Sequence, residues 1–464
     1  MRRQSKSGEM RRSPLLILAL TLFIDMLGFG LILPLIPVYI SHYGGGAWVG
    51  GMLLGCYSLM QFLTAPIWGR LSDRIGRRPV ILIGLCGSAG TFLTFGLAPN
   101  LLVLFLARVA AGALTSASLP TAQAYIADVT PPEKRASGMA VLGIAFGLGF
   151  AFGPVVGGYA SRIAIGSLSP IATPALLAAF LSFCNFLWAL AMLPESLSLA
   201  RREASANATT EKGPLALLRS IAAAFHEPNI RAQLLVFAFV TFAFTAVESS
   251  FSWLVILRFH HTLEQTAIRT WQTHHLGQPW ASLPDIVRRH QFEKIEAIIT
   301  SRIFLIVGLS SLVVQGFIVR GLAHFIGEHY LVRFGAMLMT LTLIGIGLTP
   351  SLWGIYLLSI CIAIAMGVMT PSLNALITHA ADPSEIGALS GVQQGLGSLA
   401  RIIAPPINNY LIGLPNATGV PFFCSALLMA VAFLLSLQLK PMTPSSKRDK
   451  EATETTTIEA SSIH

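Results

Sequence analysis

Long apolar runs separated by short polar segments extend along almost the whole chain. Each run holds about 20 residues, enough for an α-helix to cross roughly 30 Å of hydrocarbon. Because helices satisfy their own backbone hydrogen bonds in lipid, the pattern predicts an all-α polytopic membrane protein. Twelve transmembrane helices are expected, at residues 14–40, 47–69, 79–97, 100–124, 136–160, 171–193, 230–257, 297–319, 330–349, 352–378, 386–412 and 419–439.

Three polar segments divide these spans into larger units. A basic arm at 1–13 precedes the first span, and a tail rich in Thr, Ser and Glu at 440–464 should be disordered. The linker 194–229 separates an N-terminal half, 14–193, from a C-terminal half, 230–439, each with six predicted spans.

The C-terminal half carries an unusual insertion at 258–299. Residues 262–265 and 282–285 resemble the capping boxes that begin helices, so we predict one or two short helices outside the membrane, the last leading into helix 8. The insertion holds five histidines: His260, His261, His274, His275 and His290. Their spacing matches no known zinc arrangement, so a solvated segment is favoured over a Zn²⁺ site.

Composition and charge support this class. The chain is 54% hydrophobic and 11% charged, whereas a soluble protein carries about 25% charged residues. Most of its Lys and Arg lie in alternate loops, on the side that holds both termini. The positive-inside rule therefore places both termini in the cytoplasm, and we expect the protein in an inner or plasma membrane. Because the positive charge is distributed in this way, the net charge of +10 does not indicate nucleic-acid binding.

The sequence offers little for catalysis or cofactor binding. The five cysteines fall inside apolar runs and are interpreted as packing residues: Cys56, Cys86, Cys184, Cys361 and Cys424. No nucleotide-binding lysine loop, catalytic triad or metalloprotease signature is present, so we expect neither an enzyme nor a cofactor or metal. The expected partners are a small-molecule substrate, protons and the bilayer, with the chain acting as a monomer.

A compact basic stretch joins the second and third predicted helices: Gly69-Arg70-Leu71-Ser72-Asp73-Arg74-Ile75-Gly76-Arg77-Arg78-Pro79. We expect a turn in water, in which Asp73 pairs with neighbouring arginines and locks the two halves in one state. A plain topological anchor is the alternative. The residues assigned to this gate are Gly69, Asp73, Arg74, Gly76, Arg77 and Arg78. A reduced copy at 316–328 keeps Gly316, Arg320 and Gly327, which indicates an internal repeat.

These motifs resemble those of the drug/proton antiporters of the major facilitator superfamily, of the tetracycline-efflux type. Residues 69–79 resemble the family's loop between helices 2 and 3, and Arg108 with residues 124–130 resembles its helix 4 and the loop after it. Gly149, Gly153, Pro154 and Gly157 match the antiporter signature of helix 5. The resemblance implies the major facilitator fold, with two pseudo-symmetric halves of six helices, and proton-coupled efflux.

The chain departs from tetracycline exporters at three places. It has Thr91 where their helix 3 carries an acid, its residues 334–349 lack the acid of their helix 9, and its residues 304–319 lack the histidine of their helix 8. The resemblance therefore implies an antiporter frame without implying tetracycline as the substrate.

Asp25, Arg108 and Glu248 are charged residues inside predicted spans of membrane length. Asp25 lies about 16 Å into the bilayer by helix rise, where a carboxylate needs a wet cavity or a proton. Glu248 lies on a polar stripe of helix 7, with Thr241, Thr245 and Ser252. Both acids are candidates for proton or substrate binding, with helix packing as the alternative. Arg108 is the charge of helix 4, and the resemblance gives it a proton-relay role. Its structural alternative is a partner for Asp25 or for backbone carbonyl groups.

Two further helices contribute weaker candidates. Gln394, Ser398 and Arg401 follow helical spacing on helix 11 and are interpreted as the cavity wall of the second half, with Asn374 on helix 10. On helix 5, Gly149, Gly153, Pro154 and Gly157 should permit close helix approach and a bend.

The sequence thus predicts a secondary transporter that exports small amphipathic compounds, cationic or zwitterionic, in exchange for protons by alternating access. A metabolite uniporter or symporter on the same frame is the nearest alternative. A membrane receptor or scaffold that uses the 258–299 insertion, and a metal exporter that uses its histidines, are the others.

Overall fold

The computed structural model describes residues 14–130, 135–163, 171–197, 214–226, 228–274, 279–314, 326–380 and 386–439. Within these ranges all regular secondary structure is helical, which confirms the predicted all-α class. The basic arm, the tail, residues 198–213 and 227 of the linker, His275, and Gly316 and Arg320 of the repeated motif lie outside the described residues. The division into two halves at the linker stays a prediction.

Sixteen α-helices are described, and each predicted span overlaps at least one of them. Their bounds are α1 Pro14–Ile32, α2 Ile36–His42, α3 Ala47–Ile75, α4 Arg77–Gly96, α5 Leu101–Thr115, α6 Ser118–Val129, α7 Arg135–Ala160, α8 Ala172–Met192, α9 Pro214–Ala224, α10 Pro228–Arg258, α11 His260–His274, α12 Asp285–Val313, α13 Glu328–Leu348, α14 Leu352–Ala380, α15 Ile386–Ile412 and α16 Val420–Ser436. In the described part, 9 stretches are long and apolar enough to cross a membrane, and Val420–Ser436 is a shorter apolar helix.

The first predicted span is bent. A 3₁₀ turn at Leu33–Leu35 separates α1 from α2, and Pro34 and Pro37 flank the break. Proline lacks a backbone N–H and its ring clashes with the carbonyl one turn earlier, which interrupts the α-helical ladder. The fourth span is similarly divided after Thr115, where α5 ends.

The basic motif is helical rather than an extended loop, which corrects the sequence prediction. Helix α3 continues to Ile75 and α4 begins at Arg77, so Gly76 alone forms the turn. Gly76 has φ 108°, a value that favours glycine because it has no β-carbon. Gly327 has φ 86° directly before α13, so the same device begins the ninth predicted helix.

The insertion contributes one separate helix, α11, and then merges with helix 8. Helix α12 runs without a break from Asp285 to Val313, so the predicted start of helix 8 at 297 is wrong. The last of the short helices expected from the sequence is therefore continuous with helix 8 and begins within the predicted capping box at 282–285. Its first three turns are polar, yet they bury Glu293 and Glu296.

Helix packing joins distant parts of the chain. Helix α1 packs on α7 and α8, α3 on α5, and α13 on α14 and α16. The two most extensive contacts between the predicted halves in the described part of the chain are those of α3 with α15 and of α7 with α12. The first is tight, because a β-carbon added at Gly51 would lie 2.4 Å from the carbonyl oxygen of Pro405. These contacts lie on the side that the charge pattern predicts to be outer, hereafter the predicted outer side.

Candidate transport site

Asp25 of α1 is buried against α4. Its side chain is only 3% exposed, and the hydroxyl of Ser88 donates a hydrogen bond to Asp25 Oδ1 over 2.9 Å. Ser88 is itself fully buried. A carboxyl group at this depth, with one neutral hydrogen bond and no cation paired with it in the described residues, suits a group that binds and releases a proton.

Arg108 of α5 is also 3% exposed, and it forms no ion pair with Asp25 or any other described acid. The structure therefore rules against the alternative in which the two residues form a structural pair in this conformation. Nε and Nη2 of Arg108 have no hydrogen-bond partner among the described residues. Its guanidinium carbon lies 4.8 Å from the Phe95 ring centroid and 5.9 Å from that of Tyr57. Cation–π attraction holds the group in place without neutralising its charge.

Tyr57 of α3 links the charged groups. Its hydroxyl lies 3.2 Å from the Thr115 hydroxyl, and it interacts electrostatically with Asp25, Arg108 and Arg401. Tyr57 stacks at 5.8 Å on Phe29. A lone tyrosine in an apolar run gave no sequence signal for this central position.

The second predicted half supplies one acid and one arginine to the same region. Glu248 of α10 and Arg401 of α15 interact electrostatically, and neither forms a direct ion pair within the described ranges. Asp25, Tyr57, Arg108, Glu248 and Arg401 therefore form one group, which we call the central charged cluster. The structure brings together the three in-span charges expected from the sequence.

The weaker candidates lie at the edge of this arrangement. Asn374 and Gln394 are exposed side chains. Asn374 Oδ1 accepts a 2.5 Å hydrogen bond from Gln393, the neighbour of the residue chosen from the sequence. Ser398 donates to the Gln394 carbonyl oxygen, a bond within its own helix. No described contact joins these amides to the central charged cluster.

The helix 5 signature positions the acid of helix 1. A β-carbon added to Gly149 would lie 2.7 Å from Met26 Cβ, and one added to Gly157 would lie 2.3 Å from the Leu31 carbonyl oxygen. Pro154 lies inside α7 between them. These positions bring the α7 backbone against the turns of α1 that follow Asp25.

The basic motif forms a network at the α3–α4 turn. Arg77 is buried, and its guanidinium pairs with Asp73 at 2.7 Å and with Asp128 at 3.2 Å. Arg77 also donates to the Ser72 hydroxyl over 2.7 Å. Nothing in the sequence separately indicates that Asp128 pairs with Arg77, although Asp128 lies in the 124–130 stretch that carried the resemblance.

An acid after α8 completes this network. Glu195 accepts from the backbone N–H groups of Arg77 and Arg78, over 2.9 and 3.3 Å. A carboxylate is favourable there because the first N–H groups of α4 lack helical partners. The partners described for Arg77 and Arg78 all lie within residues 72–195, whereas Arg74 is exposed and Gly69 has open space beside it. The role of the motif as a lock between halves stays a prediction.

Two histidines of the insertion, His260 and His261, lie at the surface. Ligand atoms of His260, His261 and Glu264 lie within 4.8 Å of one another, and all three side chains are exposed. His260 stacks on Phe292 at 4.8 Å. The arrangement agrees with the favoured interpretation of a solvated segment and does not by itself define a metal centre.

Comparison with known proteins places the chain in a family. The Major Facilitator Superfamily model matches residues 18–405 and 280–463. The chain belongs to this superfamily of membrane transporters. Its relatives are transporters and not enzymes, as expected from the sequence.

Particular relatives cover nearly the full chain. The Major facilitator superfamily domain-containing protein 10 of Mus musculus is 26% identical over 481 residues, which cover 94% of this chain and 95% of the relative. The class B tetracycline resistance protein of Escherichia coli is 26% identical over 456 residues, 96% of this chain and 100% of the relative. The predicted resemblance to tetracycline exporters is confirmed.

A solved structure shares the fold. The crystal structure of the human organic anion transporter MFSD10 (TETRAN) aligns with a TM-score of 0.64 and 24% identity, covering 92% of this chain and 100% of that one. The major facilitator fold expected from the sequence is thus confirmed.

Proposed function

We propose that the protein is a proton-coupled antiporter that exports small amphipathic compounds by alternating access. The observation that carries the proposal is the central charged cluster, in which each predicted half contributes one acid and one arginine. Ionisable residues buried within a membrane protein are costly, and they commonly mark a substrate or ion path. Asp25 and Glu248 are the proposed proton-binding groups, and Tyr57 lies between them and the arginines.

Alternating access requires one side of this cluster to be closed at a time. The tight approach of α3 to α15 at Gly51 supports a conformation closed toward the predicted outer side. The network around Arg77 is the proposed support of the cytoplasmic gate. Related bacterial proteins named for tetracycline and multidrug resistance support efflux as the direction of transport.

A transport assay with a matched control tests the proposal. The purified protein is placed in liposomes with an imposed pH gradient and a panel of amphipathic compounds. Asp25→Asn should abolish transport driven by the gradient while leaving substrate exchange at equilibrium measurable. Asp285→Asn removes an exposed acid paired with Arg288 and should behave as wild type. Unimpaired coupling in Asp25→Asn would contradict the proposal.

Organic anion transport is the second candidate for the cargo, and a specific observation favours it. Arg108 is buried with two unpartnered nitrogen atoms, so an anionic group on the substrate would supply the missing counter-charge. The solved relative described as an organic anion transporter supports the same class. Faster transport of anionic than of cationic members of a size-matched panel would decide in its favour.

The remaining alternatives differ in observable ways. A metabolite uniporter or symporter would show uptake without proton counterflow. A receptor or scaffold would lose function on deletion of residues 258–299 and would tolerate Asp25→Asn. A metal exporter would instead be stimulated by Zn²⁺ or Co²⁺ in the same liposomes.

A further inference from the structure

Two acids of α12 are buried where the sequence suggests a solvated insertion. Glu293 is 6% exposed and Glu296 is 3% exposed. Residues three apart on a helix lie on the same face, so these two carboxyl groups are neighbours. Thr300 lies one turn beyond Glu296, and its buried hydroxyl has no partner among the described residues.

The carboxyl group of Glu293 has a cationic partner, and it joins α12 to the end of the first predicted span. Its Oε1 accepts from Arg289 Nε at 3.2 Å and lies 3.3 Å from Nδ1 of His42. Arg289 also donates to the carbonyl oxygens of Ser41 and His42, at 2.7 and 3.1 Å. These carbonyls lie at the end of α2, where the Ser41 carbonyl also accepts from the Gly44 N–H, and the arginine adds a side-chain cap to both. Oε2 of Glu293 is buried without a partner in the described ranges.

Glu296 has no such compensation. Its Oε1 is buried without a hydrogen-bond partner, and no described cation pairs with the carboxyl group. Ionising a carboxyl group away from water without a cation costs several kcal/mol, on the order given for buried ions. A second ionised carboxylate beside Glu293 would add repulsion, and two such groups do not readily ionise together.

The charged and titratable groups around the pair come from several helices. They are His42 of α2, Arg289, His290 and Lys294 of α12, Arg258 of α10, His260 of α11, and Tyr356 of α14, which bonds to Arg302. Of these, Arg258 is held by the Ile346 and Gly347 carbonyls of α13, and Arg289 by Glu293 and the end of α2. Among the described residues, none of these cations is paired with Glu296.

We propose that Glu296 is a second proton-binding site, located toward the predicted outer side and separate from the central charged cluster. In the present conformation the carboxyl group of Glu296 holds a proton, while Glu293 is paired with Arg289. When α12 separates from the end of α2, water reaches the pair and Glu296 exchanges its proton with the outer solution. The inference rests on the proposed proton coupling and adds the site at which outer protons bind.

Infrared spectroscopy tests proton binding without depending on transport. The wild-type protein in liposomes should show a protonated carboxyl absorption band, and Glu296→Gln should remove one component of it while any contribution of Asp25 and Glu248 remains. The amide matches the shape of the protonated acid, so thermal unfolding of this variant should stay close to that of wild type. Glu264→Gln removes an exposed acid of α11 and should leave the band unchanged. An identical band in wild type and Glu296→Gln would overturn the proposal.

Transport measurements separate this proposal from the proposed function. Glu296→Gln should retain substrate exchange and weaken the dependence of gradient-driven transport on outer pH at least threefold, whereas Glu264→Gln should not. An unaltered outer-pH profile in Glu296→Gln would also count against the site. Suppose that the wild-type protein carries substrate without proton coupling, while Glu296→Gln still removes the infrared absorption assigned to Glu296. The proton-binding site would then be supported and the antiport function would be contradicted.

Discussion

Gly153 of α7 lies directly against Gly30 of α1: a β-carbon added at Gly153 would be 2.6 Å from the Gly30 α-carbon. Neither backbone can approach this closely if either position carries a side chain. The contact lies five residues beyond Asp25, so the packing of α7 determines where the proposed proton-binding acid is held. The helix 5 signature, which carried the family resemblance, is therefore a packing device for helix 1.

Gly153→Ala should destabilise the protein and impair transport. The added methyl group must displace the α1 backbone, and overpacking of this kind costs about 1–3 kcal/mol. Thermal unfolding in detergent and gradient-driven transport in liposomes measure the two effects. Gly90→Ala is the matched control, because no atom lies within 4 Å of its added β-carbon. Alanine is the better helix former by up to about 1 kcal/mol, so the control should be neutral or stabilising.

Arg77→Ala should lower stability at the α3–α4 turn. The substitution leaves Asp73 and Asp128 without their common cation and removes the bond to Ser72. Hydrogen bonds to charged groups contribute about 1.5–3 kcal/mol each, and partial exposure of Asp73 reduces that value. Arg74→Ala removes an exposed neighbour of the same charge. Equal thermal unfolding of the two variants would show that the buried network contributes nothing.

Much of this architecture follows from the sequence because lipid imposes simple rules. The long apolar runs predict the helices, and the loop charges predict their orientation. Asp25, Arg108 and Glu248 are site candidates because each is a charged residue inside an apolar run. The burial of Glu296 was not predicted, because the polar first turns of α12 resemble a solvated segment in the sequence. Only the structure shows that α2 and α7 cover them. The central position of Tyr57 was not predicted, because a single tyrosine in an apolar run forms no periodic polar pattern.

Local capping interactions were equally invisible in the sequence. Arg78 donates to the Leu190 carbonyl near the end of α8, and Arg333 donates to the Ser436 and Leu439 carbonyls at the end of α16. In both cases an arginine near the start of one helix satisfies carbonyls that end another. Arg78 lies two residues after Gly76 and Arg333 six residues after Gly327, and both glycines have positive φ. This partial parallel agrees with the proposed internal repeat.

Gly51→Ala should open the contact between α3 and α15. Its added β-carbon would lie 2.4 Å from the Pro405 carbonyl oxygen, so the closed outer side loses its tight fit. A reporter, Ile402→Cys, is introduced into α15 in a background without the native cysteines. Its reaction with an impermeant thiol reagent added to the predicted outer side should accelerate in Gly51→Ala.

Gly391→Ala is the control for that experiment, since it lies on α15, the other helix of the contact, with open space around its added β-carbon. Labelling rates that match in both variants would argue against a role for this contact in closing the outer side. Faster labelling in Gly391→Ala as well would indicate a general loosening of α15 instead of a gate.

Arg108→Lys should weaken recognition of anionic substrates while the charge is retained. Lysine lacks the planar guanidinium that stacks on Phe95 and cannot offer two parallel donors to a carboxylate. Losing one charged hydrogen bond of about 1.5–3 kcal/mol corresponds to a rise in KM of roughly tenfold or more. The comparison variant is Arg162→Lys, because Arg162 stacks on Tyr159 at 4.7 Å and its side chain is exposed. A KM for anions that rises in both variants, or in neither, would contradict a binding role for Arg108. A rise in Arg108→Lys alone identifies the anionic group of the substrate as the partner of Arg108.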